Sequence, residues 1–439
     1  MDSETIIQSI ETSNTGLIIA IIGLLIFAAH LFTEIFSRKR IPDVLLLMII
    51  GLLIGPIFGW VRPEDLSSVA SVFTAITLII ILFTSGTELN FNTLLNSIKG
   101  TMKLTTINFF ITTIVVGALA IWIEKFHILT GLMLGAILGG TSSAVVIPMV
   151  GQLKISQKGG IILILESAFS DVLCIVFAWA FMEAMQKGAL NVGQVLGDII
   201  SSFILSSIIG LIAAIFWSYI LDKVRHVKNS ILTTPAFVFI VYGINEWLGF
   251  SGAIAALAFG IGMANMDYFY SSGLFVKKIF KSQPAQLNDT EKQLFSEVVF
   301  LLKTFFFIYI GISIRLNELR PILIGFIITV VLFVLRILIV KLSFHGKSSE
   351  IPIEDKVFMS GIVPKGLAAA VLATIPVQYG MAGGETIQNI VFAVILFSIT
   401  FTSVLVPILE RENAIKRLYT KCFTSNKERS IEELLDNNQ

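Results

Sequence analysis

Charge is scarce in this chain, and so are the residue sets that enzymes usually need. Asp, Glu, Lys and Arg make up 14% of 439 residues, against 55% hydrophobic, and the mean hydropathy is +0.88. That balance excludes a water-soluble globular protein. Apolar runs of about twenty residues recur from end to end, each long enough to cross a hydrocarbon core ~30 Å thick. The net charge of +1 comes with no long basic tract, so no nucleic-acid partner is expected. Two cysteines, Cys174 in an apolar run and Cys422 in the polar tail, give neither a disulfide framework nor a metal spacing. There is no HExxH, no GxSxG and no histidine near the intramembrane carboxylates, so neither an enzyme nor a bound cofactor is expected. The start, MDSETIIQSIETSNTG, is acidic where a secretory signal would be basic, and the first apolar run is expected to be a retained span.

What is present is a polytopic all-α membrane protein. Apolar runs between polar breaks predict thirteen spans, at about 16–37, 41–60, 68–88, 101–123, 128–151, 159–185 and 193–222, then about 230–248, 250–266, 295–315, 320–343, 356–379 and 384–409. Arg38 to Arg40, Lys154 and Lys158, Lys223 to Lys228, Lys277 to Lys281, Lys341 to Lys356 and the tail all fall on one side if the N-terminus is outside. The positive-inside rule makes that side cytoplasmic. The connection Asp267–Leu294 is expected to carry a charged surface helix, and the end KERSIEELLDNNQ a short helix or disorder.

The sixth span, ILILESAFSDVLCIV from Ile162, carries Glu166, Ser167, Ser170 and Asp171 inside an apolar run. A carboxylate at the bilayer centre costs about 3 kcal/mol on insertion scales, so it marks a functional site by default. On a helix, Glu166 and Asp171 point roughly 140° apart. Ser167 shares a face with Asp171, and Ser170 with Glu166. One face can thus offer a carboxylate and a hydroxyl to a bare cation while Glu166 turns to a partner.

The fifth and twelfth spans contain GGTSSAVVIPMV (Gly139–Val150) and VPKGLAAAVLATIPV (Val363–Val377), each mixing glycine and small residues with a late Ile-Pro. Paired interrupted helices point to a transporter site at the bilayer midplane, where unwound backbone frees carbonyls and amides. Two Pro-kinked helices packed through small residues are the alternative. Arg336 in the eleventh span needs a carboxylate, and Glu166 is the natural candidate. Lys303 in the tenth either reaches a cavity or snorkels to the interface. Lys365 either neutralises a helix end or faces water. Glu88, Asn90, Asp198 and Asn245 read as rim or packing residues, His30 as a hydrogen-bonded packing histidine, and Phe305 to Phe307 as bulk.

These stretches resemble a family in order and spacing. RIPDVLLLMIIGLLIGP, ILFTSGTELNFNTL, GGTSSAVVIP, ESAFSD, TFFFIYIGISI, the arginine of VLRIL and GIVPKGLAAAVLA are similar to the monovalent cation/proton antiporters, sodium/proton exchanger branch. The resemblance implies an inverted-repeat fold with two unwound crossing helices in a membrane domain over 1–410 and a cytoplasmic tail over 411–439. It implies a core of about 101–185 and 320–409 against a dimerisation scaffold of about 16–88 and 193–315. It gives Asp171 the alternating proton and cation site, with Glu166, Ser167, Ser170 and the chain at Thr141 as further ligands. Arg336 is implied as the partner of Glu166. Three positions depart from the pattern: Ser170 stands where the electroneutral branch has Asn, Lys365 replaces an arginine, and Lys303 is an additional cation that keeps electrogenic exchange open. Electroneutral Na+ (or Li+) for H+ exchange is therefore expected, with K+/H+ exchange or cation-coupled symport of an organic solute as alternatives. A homodimer in a prokaryotic inner membrane is the implied setting.

Overall fold

The computed structural model describes residues 42–423 except 90, 188–191, 228–229, 272–283, 346–350 and 412–413, with six positions between 23 and 31. The expected first span and the chain after 423 lie outside the described residues. Among the described residues every regular element is helical and there is no strand. Lipid imposes this, because a helix satisfies its own backbone where no water can.

The helices are α1 (Asp43–Leu52, continued by a π turn Leu53–Ile57), α2 (Pro63–Glu88), α3 (Phe91–Glu124), α4 (Ile128–Ile137) and α5 (Ser143–Val150). They continue as α6 (Gln157–Lys187), α7 (Val192–Arg225), α8 (Thr233–Trp247), α9 (Gly252–Ala264) and α10 (Met266–Ser271). The last are α11 (Asp289–Ser313), α12 (Leu319–Ser343), α13 (Ile353–Gly361), α14 (Leu367–Gln378), α15 (Gly384–Glu410) and α16 (Ala414–Phe423). Six of them are long and apolar enough to cross a bilayer, and α4, α9 and α14 are shorter apolar helices.

The fifth expected span is two helices, α4 and α5, and the twelfth is α13 and α14. The eighth and ninth expected spans are separate because Gly249 turns the chain with a φ of +78°, a conformation glycine adopts without a Cβ penalty. Some starts differ from expectation: α3 begins at Phe91, well before 101. Helix α11 begins at Asp289, well before 295, because Asn288 and Glu291 form a capping box: each backbone N–H donates to the other side chain at 2.8 Å. Helix α16 was not foreseen. It places Tyr419 and Phe423 against Val357, Phe358 and Leu409 on α13 and α15. Of the expected surface helix over 267–294, α10 covers the first residues, 272–283 lie outside the described residues, 284–288 are not helical and 289–294 belong to α11.

Helices α2, α7, α8 and α9 pack on one another, with α11 against α1 and α2. A second set joins α3, α4 and α6 to α12, α14 and α15. Small residues bring backbones together, as membrane packing favours. A Cβ on Gly311 of α11 would lie 2.8 Å from the Leu52 nitrogen of α1. At one end of the second set, Asp355 at the start of α13 is buried and accepts from both the backbone N–H and the hydroxyl of Ser156, just before α6.

Candidate functional site

The site is built where the two interrupted helices pass each other. Between α4 and α5 the chain unwinds over Leu138–Ser142, and between α13 and α14 over Ile362–Gly366. The two segments are joined by a backbone hydrogen bond, Ser142 N–H to Pro364 O, at 2.8 Å. Lys365, 1% exposed, donates from Nζ to the carbonyl of Gly140 at 2.6 Å. That carbonyl lies just past the C-terminus of α4, where unpaired carbonyls concentrate negative charge. Of the two roles left open for Lys365, the geometry is the helix-end one. Its own N–H is held by Ser398 Oγ at 3.0 Å.

Helix α6 runs beside this crossing. Ser170 Oγ donates to Ser167 O at 3.0 Å and accepts from the Thr141 N–H at 3.1 Å. Its hydroxyl brackets the unwound chain. Ser167 Oγ donates to Ile164 O at 2.8 Å. Thr141 Oγ1 is buried without a partner among the described residues. Cys174, one turn past Ser170, lies under the unwound segment, so that a Cβ on Gly140 would come within 2.9 Å of its sulfur.

Glu166 and Arg336 are both 0% exposed and form a two-point ion pair, with Nη2 to Oε2 at 2.6 Å and Nη1 to Oε1 as the second contact. Nε of Arg336 donates to Met359 O at 2.9 Å. Burial of two charges is tolerable here because every Arg336 nitrogen has an acceptor.

Asp171 stands apart from that pair. It is 8% exposed and lines a cavity of about 260 Å³ between α2 and α11 on one side and α5, α6 and α14 on the other. The first residues of α5 (Ser143, Ala144) and of α14 (Leu367, Ala368) line it too. Two helix N-termini, whose first amides have no helical acceptor, therefore share the cavity wall with the carboxylate. Glu166, Ser167, Ser170 and Thr141 do not line this cavity. Lys303 does, but its ammonium is held by Asp43 of α1 at 2.7 Å. Asn245 is buried and bonded within its own helix, Phe306 and Phe307 are core, and His30 packs edge-on against Phe300. Asn90 and the side chain of Asp198 lie outside the described residues.

A protein-family profile described as "Sodium/hydrogen exchanger, transmembrane" matches residues 17–411. The chain belongs to the sodium/hydrogen exchanger family. A K+/H+ antiporter, NhaP2, of Shewanella sp. (strain ANA-3) is 25% identical over 86% of this chain. The chain spans 64% of that relative's length. The Na+/H+ antiporter 1 of Methanocaldococcus jannaschii is 25% identical over 81% of this chain and 82% of its own. The solved structure of the sodium proton antiporter MjNhaP1 from that organism superposes with a TM-score of 0.74, covering 90% of this chain and 98% of the other at 21% identity. The fold is therefore that of an antiporter.

Sequence reasoning missed three features of the site. Asp43 is the partner of Lys303, and its position at the start of a span gave no sign of that. Ser142 lines the cavity, and its buried Oγ has no partner among the described residues. Gly366 packs on Ser142 so closely that the two segments could not otherwise cross. The last two lie inside the small-residue stretches that sequence had marked, where nothing separates a contact residue from its neighbours.

Proposed function

We propose that this protein exchanges a monovalent cation for protons, the two competing for Asp171. The observation that carries the reading is a barely exposed carboxylate on a cavity wall, at the crossing of two interrupted helices, in a chain of this family. Either ion neutralises the carboxylate, and a neutral site crosses a low-dielectric barrier that a bare carboxylate does not. Movement of the α3–α6 and α12–α15 set against the scaffold would expose the site to each side in turn. With the Lys- and Arg-rich face cytoplasmic, the cavity opens inward, as the positions of Glu88 and the start of α11 on that face support.

Hard oxygen ligands suit Na+, Li+ or K+. Na+ is the first reading, and the names of the Shewanella relatives make K+ the second. One-for-one stoichiometry is supported by Glu166 being held by Arg336, which leaves Asp171 as the exchanging carboxylate. The family resemblance supports a homodimer in a prokaryotic inner membrane.

The test is cation-induced dissipation of ΔpH in proteoliposomes, with Na+, Li+ and K+ titrated and the membrane potential clamped. Asp171→Asn is expected to abolish dissipation while the protein elutes and melts as a folded species. Unchanged turnover in that variant would remove Asp171 from the mechanism. No dissipation by any of the three cations in folded wild-type protein would instead favour cation-coupled solute uptake.

A further inference from the structure

Helix α16 carries an apolar arc that the described residues cover only in part. At ~100° per residue, Ile415, Leu418, Cys422, Tyr419 and Phe423 fall within about 140° of one another. One edge of the arc, Tyr419 and Phe423, packs on Val357, Phe358 and Leu409 of α13 and α15. The other edge is open: Ile415 is 42% exposed and Leu418 63%. Arg417 lies opposite the arc and Lys421 beside Leu418, and both are exposed. Lys416 comes within 3.9 Å of Glu354 and ties α16 to the first turn of α13.

The level at which α16 lies follows from what it touches. Leu409 is next to last in α15, a helix long and apolar enough to cross a bilayer. The contact therefore sets α16 where that span leaves the hydrocarbon. At that depth a helix with an apolar arc and a basic face lies in the plane of the interface, its apolar side sunk in the boundary between headgroups and acyl chains. Water would leave Ile415 and Leu418 uncovered, whereas that boundary covers them. Long basic side chains reach from such a helix to the phosphates, and their charge selects an anionic surface.

We propose that α16 is an anchor for anionic phospholipid: Ile415 and Leu418 dip into the leaflet while Arg417 and Lys421 hold headgroup phosphates. On the orientation proposed above, the leaflet is the cytoplasmic one. Helix α16 packs on α12, α13 and α15, all in the set that carries Asp171. Helix α13 runs from this contact to the unwound segment that holds Lys365. The anchored helix thus braces the crossing from its cytoplasmic end, and anionic lipid stabilises the bundle through it.

Two measurements on the full chain test this. In detergent micelles, phosphatidylglycerol is expected to raise the melting temperature above the value that phosphatidylcholine gives. A basic side chain near an anionic surface is worth roughly fivefold in binding. Arg417→Gln with Lys421→Gln should therefore raise the half-saturating phosphatidylglycerol concentration more than about tenfold. Arg417→Lys should stay near wild type, and added salt should weaken the wild-type effect. In vesicles, a nitroxide on Leu418→Cys is relaxed by oxygen more than by an aqueous nickel chelate, and one on Arg417→Cys the reverse. A Cys422→Ala background keeps the label unique, since Cys174 is buried. Equal phosphatidylglycerol dependence in wild type and the double glutamine variant overturns the proposal, as does a Leu418 label open to the nickel chelate. A Leu418 label shielded from both probes would mean that protein covers this face, and overturns it too. Neither readout requires exchange, so loss of the antiport reading would leave the lipid anchor standing.

Discussion

Gly366 and Ser142 touch at the point where the two unwound segments cross, and the contact leaves no room for a β-carbon on Gly366. A Cβ built there falls 3.1 Å from the Cα of Ser142 and onto its side chain. The φ of Gly366 is −145°, which any residue adopts, so the demand for glycine is purely one of space. The hydrogen bonds Ser142 N–H to Pro364 O and Lys365 Nζ to Gly140 O lie within two residues of this contact.

Gly366→Ala is therefore expected to pry the segments apart. Overpacking of this kind costs about 1–3 kcal/mol, and exchange should fall because the starts of α5 and α14 shift on the wall of the Asp171 cavity. Adding Ser142→Gly removes the obstructing side chain and should restore most of the lost melting temperature. Thermal unfolding of both proteins in detergent reads this directly. A double variant no better than Gly366→Ala would show that the backbone contact, and not the Ser142 side chain, sets the limit.

Arg336→Ala should damage the fold more than the chemistry. It strands Glu166 as an unpaired charge with no exposure to water, a situation that costs about 3–5 kcal/mol. Replacing both residues, Arg336→Met with Glu166→Gln, should recover a large part of that loss, since the pair's own net contribution is small beside the penalty of breaking it. The comparison of the two melting curves is decisive. Equal losses would mean that Arg336 stabilises chiefly through its bond to Met359 O.

Lys303 should matter little to charge balance during exchange. Its ammonium is committed to Asp43 at 2.7 Å, and α1 and α11 lie in the same bundle. Lys303→Gln is expected to leave the proton-to-cation ratio unchanged, read as the reversal point of exchange under set ion and voltage gradients. A shifted reversal point would assign Lys303 a transported charge and make exchange electrogenic.

Much of this fold was legible because lipid allows few solutions. Apolar length gave the spans, and the paired Gly- and Pro-bearing stretches gave the interruptions, since both signals are local. The charged sixth span was legible for the same reason, and the demand of Arg336 for a carboxylate pointed to Glu166. What escaped depended on register between distant segments. Ser170 was legible as a polar residue of the sixth span, but its bonds to Ser167 O and from the Thr141 N–H were not, because they are fixed only when the unwound chain settles beside α6. Asp43 and Lys303 are 260 positions apart, and neither position names the other. The early start of α11 was written locally, in Asn288 and Glu291, but hydropathy does not register a cap.

The bond between Arg336 and Glu166 also bears on how the protein feels a membrane voltage. Both residues sit on α6 and α12, in the same packed set, so on the alternating-access reading they travel together. A charge carried through the full field is worth about 2.3 kcal/mol per 100 mV, but two opposite charges moving as one contribute nothing. The most buried ion pair among the described residues is then electrically silent as gating charge. At the crossing itself, the charges left to feel the voltage are Asp171, its bound ion and Lys365.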